Sequence, residues 1–503
     1  MSHSNMKKED IIIIGAGIGG LAAGAMLAHG GHKVTILEKN SYIGGACSSY
    51  EKNGYTFDRA VHIFSKGLNG VYGKIFNRLN LDLIQFRNHI NERTAMKVYK
   101  KEGYFPFDIN VNSVFKQLKP KEQSSSGGEK SKKGGLNLAG MGATKDSIKD
   151  FPILMNNIMT MNKKKLRELY EEEVTVTQYL NQFTEDPFIH GIVAFITAAM
   201  FCIGNAKTSA AEFIHCFKTE MMAPEGYQYP ASGAAQAIPN AIAKGIEHYG
   251  GVIKTNTPVD SIVIKGNKVQ GVMVGDKLME APIVLSNLSV KWTALNLIGK
   301  DYLEKKYIEK MQSLTPSLSS MTFKLALKEP MIEKWDFINL YHPTLHDWGD
   351  KYGPDAPLSN GFFGPVLSNM DPNTAPPGHQ TVIFGTLVPS ESPNFERWKE
   401  IYIEDLHSFF PDLDEKLSFM DISYPKHIEA QTGKPGGPVE GLGLTPGQTG
   451  QNKPSSIVPG IEGLYVVGDT TGKTAHGIGT QLAADSGYKC AQAILGEITM
   501  DKI

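Results

Sequence analysis

Residues 11–39 read IIIIGAGIGGLAAGAMLAHGGHKVTILEK, and this stretch limits the fold more than any other part of the 503-residue chain. Ile11, Ile12, Ile13 and Ile14 are apolar at every position, the pattern of a central parallel strand buried on both faces. Gly15, Gly17 and Gly20 then fit G-x-G-x-x-G, which permits a tight turn, close backbone approach to a pyrophosphate and close packing of helix on strand. The spacing predicts a helix from Ile18 to Ala28. Its first N–H groups, around Ile18 and Gly19, and its positive dipole end would point at phosphate oxygens. Val34 to Leu37 reads as a second strand, with Glu38 at its tip to accept ribose hydroxyls. A lone glycine pattern would mean little. Strand, turn, helix, strand and acid at this spacing predict an α/β dinucleotide-binding unit.

The next residues decide which dinucleotide. Glu38 and Lys39 lead through Asn40-Ser41-Tyr42-Ile43 to Gly44-Gly45. This resembles the E-x-x-x-x-x-G-G extension of FAD-dependent oxidases and desaturases, where the glycine pair lets backbone approach the cofactor a second time. An Arg usually follows those glycines. Here Ala46 and Cys47 follow, which removes one phosphate or flavin contact. The extension favours FAD over NAD.

The length predicts two domains. A hydrophobic fraction of 41%, a charged fraction of 20% and a net charge of -1 describe a soluble globular chain with no electrostatic footprint for nucleic acid. Cys47, Cys202, Cys216 and Cys490 are scattered and form no C-x-x-C. They read as reduced thiols of a cytoplasmic protein, without a metal site or disulfide framework. The first ten residues hold no apolar signal-peptide core, and no stretch reaches the ~18 apolar residues of a spanning helix. The nearest is Phe188 to Ile203, interrupted by His190. It reads as a buried helix of the second domain, and the sharper alternative is a membrane-dipping or substrate-lining helix.

Residues 123–135 are rich in Ser, Gly and Lys and read as part of a flexible surface loop at about 121–136. The charge runs Lys163–Lys165 and Glu171–Glu173 read as a solvated helix face. From Tyr229 the α/β character returns: a helix with Ala237, Ile238, Ala241, Ile242 and Ile246, a stop at Gly250-Gly251, and strands at Val252–Lys254, Val259–Ile264, Lys268–Val274 and Pro282–Asn287. Gly463 to Asp469 reads as a last strand, with a helix from about Gln481 to Leu495. The expected fold is α/β, or α+β for the whole chain. A Rossmann-like FAD-binding domain is discontinuous over 1–75, 230–290 and 457–503, and a mixed-sheet and helical substrate domain occupies 76–229 and 291–456. Gly441, Gly443 and Gly447 fall in a Pro-broken loop, so they make no second dinucleotide turn.

The fingerprint, Gly54-Tyr55-Thr56-Phe57-Asp58, the Tyr229–Thr257 segment and Gly463 to Ile494 together resemble the phytoene desaturase, carotenoid isomerase and retinol saturase family, which is related to amine oxidases. They cover about two fifths of the chain. The resemblance implies that Asp469, after Gly468, accepts a ribityl hydroxyl, and that the turn around Gly477, Ile478 and Gly479 faces the flavin ring. It places Val259 at the adenine. His62 and His476 are candidate catalytic residues that would exchange a proton near the flavin, and a structural role is weighed equally for each. Cys47 reads as a small buried residue rather than a redox thiol.

The resemblance further implies hydride exchange through flavin N5 with carbon–carbon bonds of a long apolar, isoprenoid or carotenoid-like substrate. Such a substrate is drawn from membrane, so peripheral contact on the inner face, through the Phe188–Ile203 region, is a subsidiary expectation. Desaturation, saturation and isomerisation stay open, as do the electron donor or acceptor and the oligomeric state. Two rivals remain: an amine-oxidase-like or protoporphyrinogen-oxidase-like enzyme with a polar substrate, and a flavin-binding protein without turnover. An aromatic cage at the flavin would favour an amine. A long apolar tunnel would favour an isoprenoid.

Overall fold

A computed structural model describes residues 10–60, 62–81, 84–87, 93–99, 102–106, 143–341 and 361–503. The loop expected at 121–136 lies outside them. Three distant parts of the chain build a five-stranded parallel sheet, in the order Val252–Lys254, Lys33–Leu37, Asp10–Ile14, Ile283–Ser286, Leu464–Val466. The isoleucine run sits in its centre and explains its own composition. Ile11 and Ile13 pack into a core shared with the helices Ile18–His29, Ala237–His248 and Gly479–Ile494. Ile12 and Ile14 face the opposite way, onto Ile262, Ile264 and Val272 of a three-stranded antiparallel sheet. Each buried side chain contributes about 1.5–3 kcal/mol, so neither face tolerates a polar residue.

Packing carries this half of the molecule beyond the expected boundaries. The helix Val71–Leu79 runs across residue 75 and buries Tyr72, Ile75 and Phe76 in the core of Ile11 and Ile13. Likewise Ala294, Leu297, Met311 and Leu442 share the core of Ile12 and Ile14, although they lie beyond residue 290.

The other half rests on a seven-stranded mixed sheet in the order Leu417–Ser423, Ser319–Leu327, Gln380–Val388, Phe362–Pro365, Phe337–Tyr341, Thr94–Val98, Phe105–Pro106. One face is a closed core: Met321, Phe323, Phe384, Ile338 and Leu340 pack against Trp398, Tyr402 and Leu406 of the helix Phe395–Phe409. The alternate residues Ser320, Thr322, Gly385, Leu387, Phe337 and Asn339 point the other way and wall a cavity.

The apolar run of 188–203 forms the helix Pro187–Phe201, capped by Asp186, whose carboxylate accepts from Ile189 N at 3.0 Å. Ile189, Ile192, Val193, Ala194 and Phe195 are buried, so this face of the helix packs inward. Among the described residues, no helix is long and apolar enough to cross a membrane. The helix Lys145–Thr160 carries three exposed apolar side chains, Ile148, Ile153 and Met159.

Candidate functional site

The site begins where the central strand ends. Gly15 turns the chain at φ +92°, and its N–H donates to Leu37 O at 2.7 Å. A Cβ on Gly20 would stand 2.3 Å from the Gly15 carbonyl oxygen, so the helix packs onto the turn at a distance only glycine allows. Glu38, at the tip of the second strand, accepts from Ala16 N at 2.8 Å and from Asn40 N at 2.9 Å. Its carboxylate thereby braces the turn as well as lining the space above it. Gly44 N donates to Ala16 O at 2.8 Å, which joins the two glycine motifs into one cradle.

A cavity of about 320 Å³ runs along this cradle. Gly15, Gly17, Ile18 and Gly19 line its middle, and Glu38, Lys39 and Val259 line one end. Gly44, Gly45 and Ala46 line it as well, as do Gly468 beside Gly19, Asp469 and Gly479. N–H groups at a helix N-terminus, a floor without side chains and an acid at the strand tip suit an extended dinucleotide. Cys47 also lines this cavity. Burial pushes its thiol well above the ordinary range, and Sγ contacts Ala235 O at 3.6 Å. That disfavours thiolate chemistry.

Lys434 and Glu440 line the cavity too, brought there by a loop that carries no motif. The Lys434 ammonium pairs with the Asp469 carboxylate and donates to Val439 O at 3.0 Å. Gly441 N donates to Asp469 Oδ2 at 3.0 Å. Burial disfavours the Lys434 charge, but Asp469 and Glu440 outweigh it and raise its pKa. Glu440 is pushed up to about 7, by burial first and by the Asp469 charge, while Lys434 pulls the other way. Sequence reasoning missed both residues. Their segment, KPGGPVEG, has the composition of an exposed turn.

A second cavity, of about 210 Å³, opens beside the first. Ala60, Val439, Glu440, Gly479 and Thr480 line both, so the two spaces meet there. Phe195, Ile196 and Met200 of the helix Pro187–Phe201 form one of its walls, with Met221, Phe337, Phe363 and Leu387 opposite. The apolar run is therefore both a buried helix and a cavity wall.

The remaining sequence candidates divide. His62 and Ile478 line the second cavity and not the first. His62 Nδ1 lies 3.6 Å from Asp58 Oδ2. Asp58 is itself buried and accepts from Ser49 Oγ at 2.6 Å, Tyr229 OH at 2.6 Å and Ala235 N at 3.1 Å. His476 and Gly477 line neither cavity. His476 turns toward Glu212, Nδ1 to Oε1 3.5 Å, and its ring lies 4.2 Å from that of His215. Glu212 is fully buried and also accepts from Tyr170 OH at 2.5 Å. Burial pushes the Glu212 carboxyl up, but His476, Lys453 and Tyr170 together hold it well below the carboxylate range. His476 thus sits in a buried charge cluster behind the turn.

The chain is similar to known proteins in sequence and in fold. The model for flavin containing amine oxidoreductases matches residues 18–495. The chain is 23% identical to the chloroplastic prolycopene isomerase of Daucus carota, covering 99% of this chain and 81% of that one. It is also 23% identical to the carotenoid 3,4-desaturase of Haloarcula japonica, covering 98% and 100%. In fold it is similar to an oxidoreductase from Methanosarcina mazei, with a TM-score of 0.71 and 18% identity over 96% of this chain and 100% of that one. With a glycine cradle, a strand-tip acid and a family match over nearly its whole length, the protein is an oxidoreductase that belongs to the flavin-containing amine oxidoreductases.

Proposed function

We propose that the protein is an FAD-dependent oxidoreductase that moves hydride to or from carbon–carbon bonds of a long apolar, isoprenoid or carotenoid-like substrate. One observation carries the reading: an apolar cavity meets the dinucleotide cavity, and none of the five residues common to both is aromatic. Among the described residues, the aromatic side chains Phe195, Tyr227, Phe337 and Phe363 line the second cavity and not the junction, an arrangement that favours an apolar chain over an amine cage. The names of the similar carotenoid enzymes support the same substrate class.

When bound, FAD supplies two-electron chemistry at N5. The chain supplies the rest. Gly15 to Gly20 would present N–H groups and a dipole to the pyrophosphate, and Glu38 would accept from the adenosine ribose. Asp469, held by Lys434 and Gly441, would accept from the ribityl chain. Phe195, Met200, Phe337 and Leu387 keep water from the reacting carbons. Desaturation, saturation and isomerisation all use this arrangement. Drawing a substrate from lipid calls for membrane contact, and the outward apolar residues Ile148, Ile153 and Met159 are where we place it.

The test is anaerobic mixing of the FAD-loaded protein with detergent-solubilised phytoene and, separately, with primary amines. Conversion of the polyene, or flavin reduction by it, supports the reading. Flavin reduction by amines alone transfers the protein to the amine-oxidising class, and a colourless protein that takes up no FAD ends it. Flotation with liposomes checks the membrane contact.

A further inference from the structure

Glu440 is the group that the motifs leave unexplained. It is 6% exposed and lines both cavities at their junction. Its Oε2 accepts from Gly479 N at 3.2 Å, so the carboxyl sits at the N-terminus of the helix Gly479–Ile494. The backbone beneath it is clamped: Ser317 Oγ accepts from Glu440 N at 2.9 Å, and Glu440 O accepts from Ser317 N at 3.2 Å. Lys434 and Asp469 face it from the cofactor side, and Cys202 lies close enough to feel its charge. His62 and Glu220 are titratable groups in the apolar cavity, where Glu220 Oε1 lies 3.8 Å from Lys66 Nζ. The Lys434 ammonium is directed at Asp469 and Val439 O rather than at Glu440.

We propose that Glu440 is a catalytic proton carrier for the carbon adjacent to the one that exchanges hydride, an assignment that rests on the FAD and apolar-substrate reading above. In the desaturating direction one C–H bond breaks and its hydride leaves to FAD, the oxidant. The neighbouring C–H bond breaks, its proton passes to a Glu440 carboxylate oxygen, and the electron pair left behind forms the C=C bond. In the saturating direction the Glu440 carboxyl returns the proton while the reduced cofactor returns the hydride. Phe195, Met200 and Leu387 give this cavity an apolar wall, and a buried carboxyl poised near neutrality at its junction with the first cavity is suited to the transfer.

The test compares FAD-loaded wild type with Glu440→Gln and Glu440→Asp. The glutamine keeps an acceptor for Gly479 N, so FAD content and thermal stability serve as folding controls. In the wild type the visible spectrum of bound FAD shifts with pH as the Glu440 carboxyl, raised above the ordinary carboxylate range by burial, titrates, and Glu440→Gln abolishes that step. Phytoene turnover falls about 100-fold or more in Glu440→Gln and partly recovers in Glu440→Asp. A Glu440→Gln protein with the wild-type spectral titration and turnover overturns the proposal and leaves the substrate reading intact. A wild type that converts no polyene, but whose spectral step still depends on Glu440, sinks the substrate reading and supports the carboxyl at the flavin.

Discussion

A Cβ on Gly487 would stand 2.1 Å from the carbonyl oxygen of Gly19. The last helix of the chain and the first therefore touch backbone to backbone, and Gly19 lines the cofactor cavity. Gly487→Ala must separate the two helices. Overpacking of this kind costs about 1–3 kcal/mol, and two rigid backbones put the change at the upper end. Denaturant unfolding is expected to show that loss, together with a lowered FAD content in the purified protein.

Lys434 and Asp469 form a largely buried pair, with side chains 16% and 14% exposed. Lys434→Met leaves the carboxylate without its cation. The expected cost is about 3–5 kcal/mol, as for other broken buried pairs. The double variant Lys434→Met/Asp469→Asn recovers much of that stability but not FAD retention. Unfolding curves and the ratio of flavin to protein absorbance separate the two effects.

Glu38 serves two backbone donors, Ala16 N and Asn40 N. Glu38→Ala strands both and is expected to cost about 2 kcal/mol, since an unsatisfied buried donor carries a penalty of about 1–3 kcal/mol. Glu38→Gln retains one acceptor and loses less. FAD affinity, measured by titrating the apoprotein, falls in the same order.

His215 is pushed down to about 4, by burial first and then by the His476 charge. The unfolded chain returns it to 6.5, so the unfolded state binds the proton first as pH falls. Stability is intact above about 6.5 and lost progressively down to about 4. The contribution is about 2 kcal/mol after allowance for partial solvent screening. His215→Gln flattens that part of the stability–pH curve, and unfolding midpoints across the range check it.

What the sequence showed was mostly what the backbone does over short distances. The helix Ile18–His29 and the strands Val252–Lys254 and Lys268–Val274 lie where periodicity put them, because burial on a period of two or 3.6 residues is a local signal. The apolar run at Phe188 was legible as a buried helix, with a substrate-lining helix as its alternative, and the structure makes it both. His476 was expected near the flavin because the resemblance places its turn there. The structure aims its side chain at Glu212, 264 positions away, a partner no spacing rule could name.

The sequence by itself determined a dinucleotide-binding unit, its completion by the C-terminal strand and helix, and the family. The unit follows from glycine backbone freedom and from apolar runs that suit only a two-faced sheet, while its C-terminal completion and the family follow from the resemblance of the motifs. Only the tertiary structure decided where the two cavities meet and which charges stand at the junction. Lys434 and Glu440 acquire their character from Asp469 and Gly479, 35 and 39 positions away. The electrostatics of a buried group depend on what surrounds it in space, and a Pro- and Gly-rich loop carries no periodicity from which to read those neighbours.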